Sequence, residues 1–265
     1  MKLATRTVEK IWGRTELPAP FGRRLDEPVG EIWFEPPADA SALLVKYLFT
    51  SQKLSVQVHP ADGQAGPGIA GKDECWLVLD AEPGASLAIG FDEAITPDAM
   101  RAAALDGSIE RLLTWHDVQA GDFFYLPANT VHAIGPGLCL VEVQQNTDIT
   151  YRLYDYGRPR ELHLDDAIAV AKGEVYDDAR RRAVASDETV TLVDGPYFRL
   201  DQTYGAPSPA ILEAHRGDAT LLPISGCIST PEVALAPGEC AVVPDISEVD
   251  FSAAGRTLIA TARQG

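Results

Sequence analysis

Apolar and polar residues alternate in short runs along most of this chain. "ALLVKYLF" (42–49), "LSVQVHP" (54–60), "CWLVLD" (75–80), "ASLAIGF" (85–91), "GDFFYLP" (121–127), "CLVEVQQ" (139–145) and "ITYRLYDY" (149–156) are separated by Gly and Pro. That density of short strands predicts a mainly β chain, a sandwich or a barrel. A helical pattern occurs in few places. "TPDAMRAAALDGSIERLLTW" predicts one helical insertion near residues 97–117, with Thr96 as N-cap and Pro97 at the first helical position. "HLDDAIAVAKG" predicts a second helix closed by Gly173. The charged stretch 174–188, poor in large apolar groups, reads as a linker, and a second strand-rich segment fills 189–265.

The two segments share a spacing that suggests a degenerate repeat. Gly121 stands six residues before Pro127, and Gly238 six before Pro244. Five residues after the first Pro comes His132, five after the second comes Val249, so only the first copy would keep a functional histidine.

The run "LSVQVHP" is the most informative. Leu54, Val56 and Val58 would share one face of a strand, and Ser55, Gln57 and His59 the other. Either the polar face is solvated, or it is the working face.

Composition narrows the function classes. With 39 acidic against 22 basic residues the net charge is −17, which disfavours nucleic acid and anionic lipid as partners. The N-terminal stretch lacks the apolar core of a secretory signal, and no run approaches a membrane-spanning length, so a cytoplasmic protein without membrane contact is expected. Cys75, Cys139, Cys227 and Cys240 form no CxxC pair and are expected as reduced thiols.

Gln57, His59, Glu74 and His132 have the residue types of a divalent metal site. Two imidazoles, a carboxylate and an amide oxygen suit zinc or a similar borderline ion, and positions i and i+2 of a strand could share it. Taken separately, the four could equally be two solvated strand residues, a surface acid and a capped loop histidine. Three basic residues stand out: Lys46 interrupts "ALLVKYLF", Lys72 precedes Glu74 by two, and Arg152 lies in "DITYRLYDY". Asp148, Thr150, Arg152 and Tyr154 would line one strand face, either an exposed edge or part of a site. One Arg with one or two Lys is the set that phosphate recognition uses.

"LSVQVHP", "GKDECW", "LPANTVHAIGPG" and "VEVQQNTDITYRLYDYGR", with "KIWGR" and "VGEIWFEPP" near the N-terminus, resemble the type I mannose-6-phosphate isomerases of the cupin superfamily, in their short bacterial form. The resemblance covers residues 8–170. It implies a cupin jelly-roll barrel, and a bicupin architecture: a metal-binding domain 1–173 with the helical insertion, the linker, and 189–265 as a degenerate second half. It implies metal ligation by Gln57, His59, Glu74 and His132, most simply of one Zn²⁺. It places Arg152, Lys72 and Asp148 in catalysis, and Lys46 and Ser55 at the substrate. Gln57 and His59 would then face the barrel interior, with Leu54, Val56 and Val58 facing out under another layer.

Three departures from the family pattern stand out. "HPADGQAGPGIAGKDE" brings a Gly-rich loop to the border of the site, Trp12-Gly13-Arg14 replaces the usual WGG, and the helical domain of larger members is missing.

The implied reaction interconverts mannose 6-phosphate and fructose 6-phosphate through an enediol, with a phosphosugar as partner and a monomer or homodimer as assembly. Lys72, lowered toward neutrality by a neighbouring ion, and Asp148 are the two candidates for the acid/base. A metal-dependent cupin dioxygenase and a sugar-phosphate-binding or regulatory module without turnover are the alternatives.

Overall fold

The computed structural model describes residues 1–37 and 42–263. The first part of the chain runs through β1 (Ala4–Glu16), β2 (Arg24–Glu35), β3 (Leu43–Phe49), β4 (Val56–Val58), β5 (Glu74–Ala81), β6 (Ser86–Phe91), α1 (Pro97–Asp106), β7 (Leu113–Asp117), β8 (Asp122–Leu126), β9 (His132–Ile134), β10 (Leu138–Gln145), β11 (Tyr151–Tyr154) and α2 (Leu164–Val170). The second part adds β12 (Arg181–Ala183), β13 (Val190–Asp194), β14 (Phe198–Tyr204), α3 (Pro209–Ala214), β15 (Arg216–Pro223), the short β16 (Ile228–Ser229) and β17 (Ala234–Leu235), β18 (Ala241–Asp245) and β19 (Arg256–Ala262).

Beside a two-stranded sheet of β16 and β17, the described residues form three large antiparallel sheets. Their strand orders are β1-β2-β3-β10-β5-β8-β12, β11-β4-β9-β6-β7 and β13-β14-β19-β15-β18. The seven-stranded sheet lies in the middle. One of its faces shares an apolar cluster with the second sheet, where Trp76, Val78, Leu126 and Leu140 meet Leu87, Ile89 and Ile134. Its other face meets the third sheet, with Phe34, Tyr47, Leu77 and Val141 against Leu200, Leu222 and Leu258. β3 is buried along its whole length for this reason. A strand covered on both faces is apolar almost throughout, which leaves Lys46 as its one charged interruption.

Helices α1 and α2 cover the outer face of the second sheet. Met100, Ala103, Ala104, Ala167 and Val170 pack on Val56, Val58 and Ala88. Val56 and Val58 therefore face outward under a helical layer, as the alternation required. Leu54 departs from it: it lies before β4 and packs in the inner cluster with Trp12 and Trp76.

Several local expectations change. Thr96 caps α1 by accepting from the Ala99 N–H, with Pro97 at the helix start and Gly107 in the left-handed conformation at its end, but the predicted helical stretch to residue 117 gives way to β7 from Leu113. α2 ends at Ala171, in extended conformation, rather than at Gly173. Gly173 serves a close approach instead: a Cβ there would stand 2.1 Å from the Ile95 carbonyl oxygen. Within the stretch read as a linker, Arg181–Ala183 pairs with Asp122–Phe124 as the last strand of the central sheet, and Tyr176 is buried in the inner cluster. In the repeat, Pro127 follows its strand, whereas Pro244 lies inside β18, at a sheet edge, where its missing N–H costs no ladder bond. Val249 sits in the apolar cluster under α3. Among the described residues no helix is long and apolar enough to cross a membrane.

Candidate active site

The inner faces of the central and second sheets bring the polar residues together by register. On the second sheet Gln57 of β4 stands opposite His132 of β9 on one side and Arg152 of β11 on the other. On the central sheet Glu142 of β10 stands between Lys46 of β3 and Trp76 of β5, and Trp33 of β2 pairs beyond Lys46. Glu74 opens β5, opposite Gln144 and Leu126.

His59, Glu74 and His132 converge, with one potential ligand atom from each lying within 4.8 Å of the others, and all three are buried. The His59 Nδ1–H donates to the Ile149 carbonyl at 2.8 Å and the His132 Nδ1–H to the Thr130 carbonyl at 2.9 Å. A carbonyl only accepts, so in both rings Nε2 is left with its lone pair. These lone pairs face Glu74, whose Oε2 is 3.5 Å from His59 Nε2 and whose Oε1 is 3.4 Å from His132 Nε2. Lys72 Nζ reaches Glu74 Oε2 and His59 Nε2, whereas Glu74 Oε1 and His132 Nε2 face each other as acceptors, which is unfavourable in a dry interior without a cation to share. Burial keeps both imidazoles neutral: it lowers His59 well below the usual histidine range, with Lys72 and His132 adding to it, and lowers His132 to about 4. Gln57 completes the set, its amide Nε2 at 3.2 Å from His132 Nε2 and its Oε1 accepting from Ser55 Oγ at 3.0 Å. Half a turn of that amide presents its oxygen to the same point. These residues fit a divalent ion. Two neutral imidazoles are held by outer hydrogen bonds, and Glu74 Oε1 has no hydrogen-bond donor among the described residues.

Beside this cluster lies a buried chain of alternating charge. Lys72 Nζ is 2.8 Å from Glu74 Oε2, 3.2 Å from His59 Nε2 and 3.3 Å from Glu142 Oε1, and Lys46 Nζ is 3.2 Å from the same Glu142 oxygen. Lys46 also lies 4.6 Å above the Trp33 ring, whose indole N–H donates to Glu31 at 2.5 Å. Burial raises Glu74 to about 7 against the opposing pull of Lys72. Burial works the same way on Glu142, but Lys46 and then Lys72 outweigh it and hold the acid at about 2. For Lys72, burial is outweighed by Glu142 and Glu74, which raise it above the ordinary lysine value. Without an ion beside it, the two carboxylates favour the ammonium form of Lys72.

A cavity of about 220 Å³ opens over this chain. Lys46, Ser55, Gln57, Lys72, Glu74, Asp148 and Arg152 all line it, joined by Glu142, Glu31, Trp12, Arg160 and His163. Burial of His59, Glu74 and His132 and their convergence with Gln57 exclude the reading of the four as unrelated surface groups. Tyr154 is not among the lining residues, because a register shift between Arg152 and Tyr154 turns it toward the helices. The Gly-rich loop before Lys72 contributes none of the lining residues. It is tied elsewhere: Asp62 accepts from Gly71 N–H and Gln145, and Gln64 from Asn129. In the Trp12-Gly13-Arg14 departure, Gly13 passes the Val29 backbone where a Cβ would meet it at 2.3 Å. Arg14 donates to the Thr50 carbonyl. Cys75 points to the opposite core.

Glu142, Arg160 and His163 were not singled out from the sequence. Glu142 had a usable signal, a lone acid in the apolar run "CLVEVQQ", the counterpart of Lys46 in "ALLVKYLF". Arg160 and His163 lie outside any strand, in "RPRELH", and only the tertiary fold places them.

No family model matches the chain. Among curated proteins it is 41% identical over 176 residues to the mannose-6-phosphate isomerase ManA of Bacillus subtilis (strain 168), a match covering 61% of this chain and 55% of that protein, so the chain spans about half the length of that relative. It is 32% identical over 238 residues to YvyI of the same organism, provisionally named a mannose-6-phosphate isomerase, covering 72% of this chain and 75% of that one. The crystal structure of the Bacillus subtilis mannose 6-phosphate isomerase superposes with a TM-score of 0.80 at 25% identity, over 98% of each chain.

Proposed function

The chain belongs to the mannose-6-phosphate isomerase family of the cupin superfamily, and from that premise we propose that it interconverts mannose 6-phosphate and fructose 6-phosphate through an enediol. One divalent ion would be held by Gln57, His59, Glu74 and His132. Zinc suits two imidazoles and a carboxylate best. The observation that carries the reading is the convergence of two neutral imidazoles and a carboxylate beside a cavity lined by lysine, arginine and an uncommitted acid. Residues 1–173 form the working domain in this reading and 189–263 a second cupin half without the ligand histidine. The four cysteines, none disulfide-bonded, fit a cytoplasmic protein.

A divalent ion bound there would supply Lewis-acid polarisation of substrate oxygens and offset developing negative charge. The protein's own groups do the rest. Lys72, set between the Glu74 and Glu142 carboxylates, gives and regains the proton at the substrate oxygens. The C2 proton passes to Asp148 and returns at C1. Among the described residues lining the cavity, Asp148 is the carboxylate without an ion-pair partner, since Glu31, Glu74 and Glu142 each face a lysine. Ser55 and Lys46 meet substrate hydroxyls, and Arg152 offers a guanidinium with no carboxylate in ion-pairing distance among the described residues. A coupled assay for fructose 6-phosphate with mannose 6-phosphate as substrate tests this. Turnover by the metal-loaded protein is expected. Binding without turnover would support a regulatory module instead, and substrate-dependent oxygen uptake a dioxygenase.

A further inference from the structure

The positive charge in the cavity is unevenly committed. Lys46 and Lys72 are matched by Glu142 and Glu74. Arg152 is not matched: no acid lies within ion-pairing distance of it among the described residues, and its buried Nε has no hydrogen-bond partner. Burial, and next the charge of Arg160, lower the Arg152 guanidinium from its ordinary value, so two like charges look into one cavity.

Arg160 is held differently. Its Nε and Nη2 donate to the two oxygens of Asp155, each at 2.6 Å, and the Asp155 side chain is 1% exposed. Arg158 Nη2 donates to the same carboxylate at 2.6 Å and to the Lys53 carbonyl at 2.8 Å. One buried acid thus fixes two arginines, leaving Arg160 Nη1 without a protein acceptor among the described residues. His163 adds a donor. Its Nδ1 accepts the Arg152 backbone N–H at 3.2 Å, so the neutral ring carries its proton on Nε2. All three side chains line the cavity and are only partly buried, unlike the lysines.

We propose that Arg160, fixed by Asp155, joins Arg152 and His163 in a clamp for the dianionic phosphate of the substrate, which makes Arg160 a specificity-determining residue. The inference rests on the isomerase reading for its substrate. In a hexose 6-phosphate the reacting C1 and C2 lie at the other end of the open chain from the phosphate. A clamp at the more exposed end of the cavity leaves those carbons to the buried cluster. Two guanidiniums answer a dianion, with fork-shaped donors that match its oxygens.

The test is steady-state kinetics on the metal-loaded protein with mannose 6-phosphate, using inorganic phosphate as competitive inhibitor, for wild type, Arg160→Gln, Arg160→Lys and Asp155→Asn. A hydrogen bond to a charged group is worth about 10- to 100-fold in binding. Arg160→Gln should therefore raise KM and the phosphate inhibition constant by at least about tenfold, with the larger part of the loss in KM. Asp155→Asn should act in the same direction, and Arg160→Lys should restore part of the loss. An unchanged inhibition constant in a folded Arg160→Gln variant overturns the clamp. Should that variant fail to fold, Arg160→Lys decides: weaker phosphate inhibition supports the fork, and wild-type inhibition overturns it. A wild-type protein without turnover would contradict the isomerase reading alone. Phosphate binding, followed by calorimetry in wild type and Arg160→Gln, would then test the clamp separately.

Discussion

Glu142→Gln is the most informative single change to the buried charge chain. The carboxylate is 3% exposed and lies 3.2 and 3.3 Å from two ammonium groups. Those groups bring it from an ordinary 4.5 down to about 2. At about 1.4 kcal/mol per tenfold change in proton affinity, that fall corresponds to roughly 3 kcal/mol of folding stability. The cost of removing one partner of a buried ion pair, about 3–5 kcal/mol, has the same size. Glutamine keeps the shape and removes the charge, leaving, among the described residues, Glu74 within ion-pairing distance of Lys72 and no acid within that distance of Lys46. The expected outcome is a melting temperature lower by about 6–12 °C at pH 7, taking about 2–4 °C per kcal/mol for a chain of this size. The pH dependence follows from the direction of the shift. A folded-state value below the unfolded one stabilises fully above about pH 4.5 and loses that contribution as pH falls toward 2. The gap between wild type and variant should therefore be constant from pH 6 to 7 and narrow below about 4.5. Thermal denaturation followed by circular dichroism measures it. Equal melting temperatures at pH 7, or a gap that stays constant into acid, would refute the argument that Glu142 holds the two lysines together.

Other expectations follow from the same geometry. Glu74→Gln and His132→Ala should each lose most of the bound metal seen by elemental analysis of the purified protein, because each removes a ligand from a buried set; wild-type metal content in either would reject the assignment. Lys72→Ala and Arg152→Ala should each lower kcat/KM by at least about two orders of magnitude, the scale of acid/base and charge-stabilising groups, and near-wild-type kinetics would remove that residue from the mechanism. In the third sheet the fully buried Asp201 accepts from Arg199, His215 and Thr191, each at 2.6 Å. Asp201→Asn should cost about 3 kcal/mol in urea denaturation while the folded protein keeps its activity, since none of these residues lines the cavity.

The strand pattern and the residues that converge at the site were legible in the sequence because both depend on short-range regularities. Alternation put Gln57 on the opposite face from Val56 and Val58, and the register of β4 against β9 then set Gln57 beside His132. What the sequence hid depends on packing between distant segments. Leu54 breaks the alternation because β4 is only three residues long, so the chain before it is free to turn inward. The stretch 174–188 looked like a linker because its strand residues are exposed, yet backbone pairing with β8 needs no apolar side chains. The pairing of Lys72 with Glu142, which reaches it from another strand, was hidden because no sequence pattern links the two. Arg160 and His163 approach the cavity from irregular chain, where spacing carries no directional information.

The claim at the centre of this account is that a single ion at His59, Glu74 and His132, with Gln57, supports turnover. The most direct measurement is the conversion of mannose 6-phosphate to fructose 6-phosphate by chelated protein as zinc is added back in known amounts. The account predicts no turnover after chelation and a linear recovery that saturates at about one ion per chain, as expected of tight binding at a single site. Conversion that continues unchanged in the chelated protein, or a metal-saturated protein that converts nothing, would contradict it.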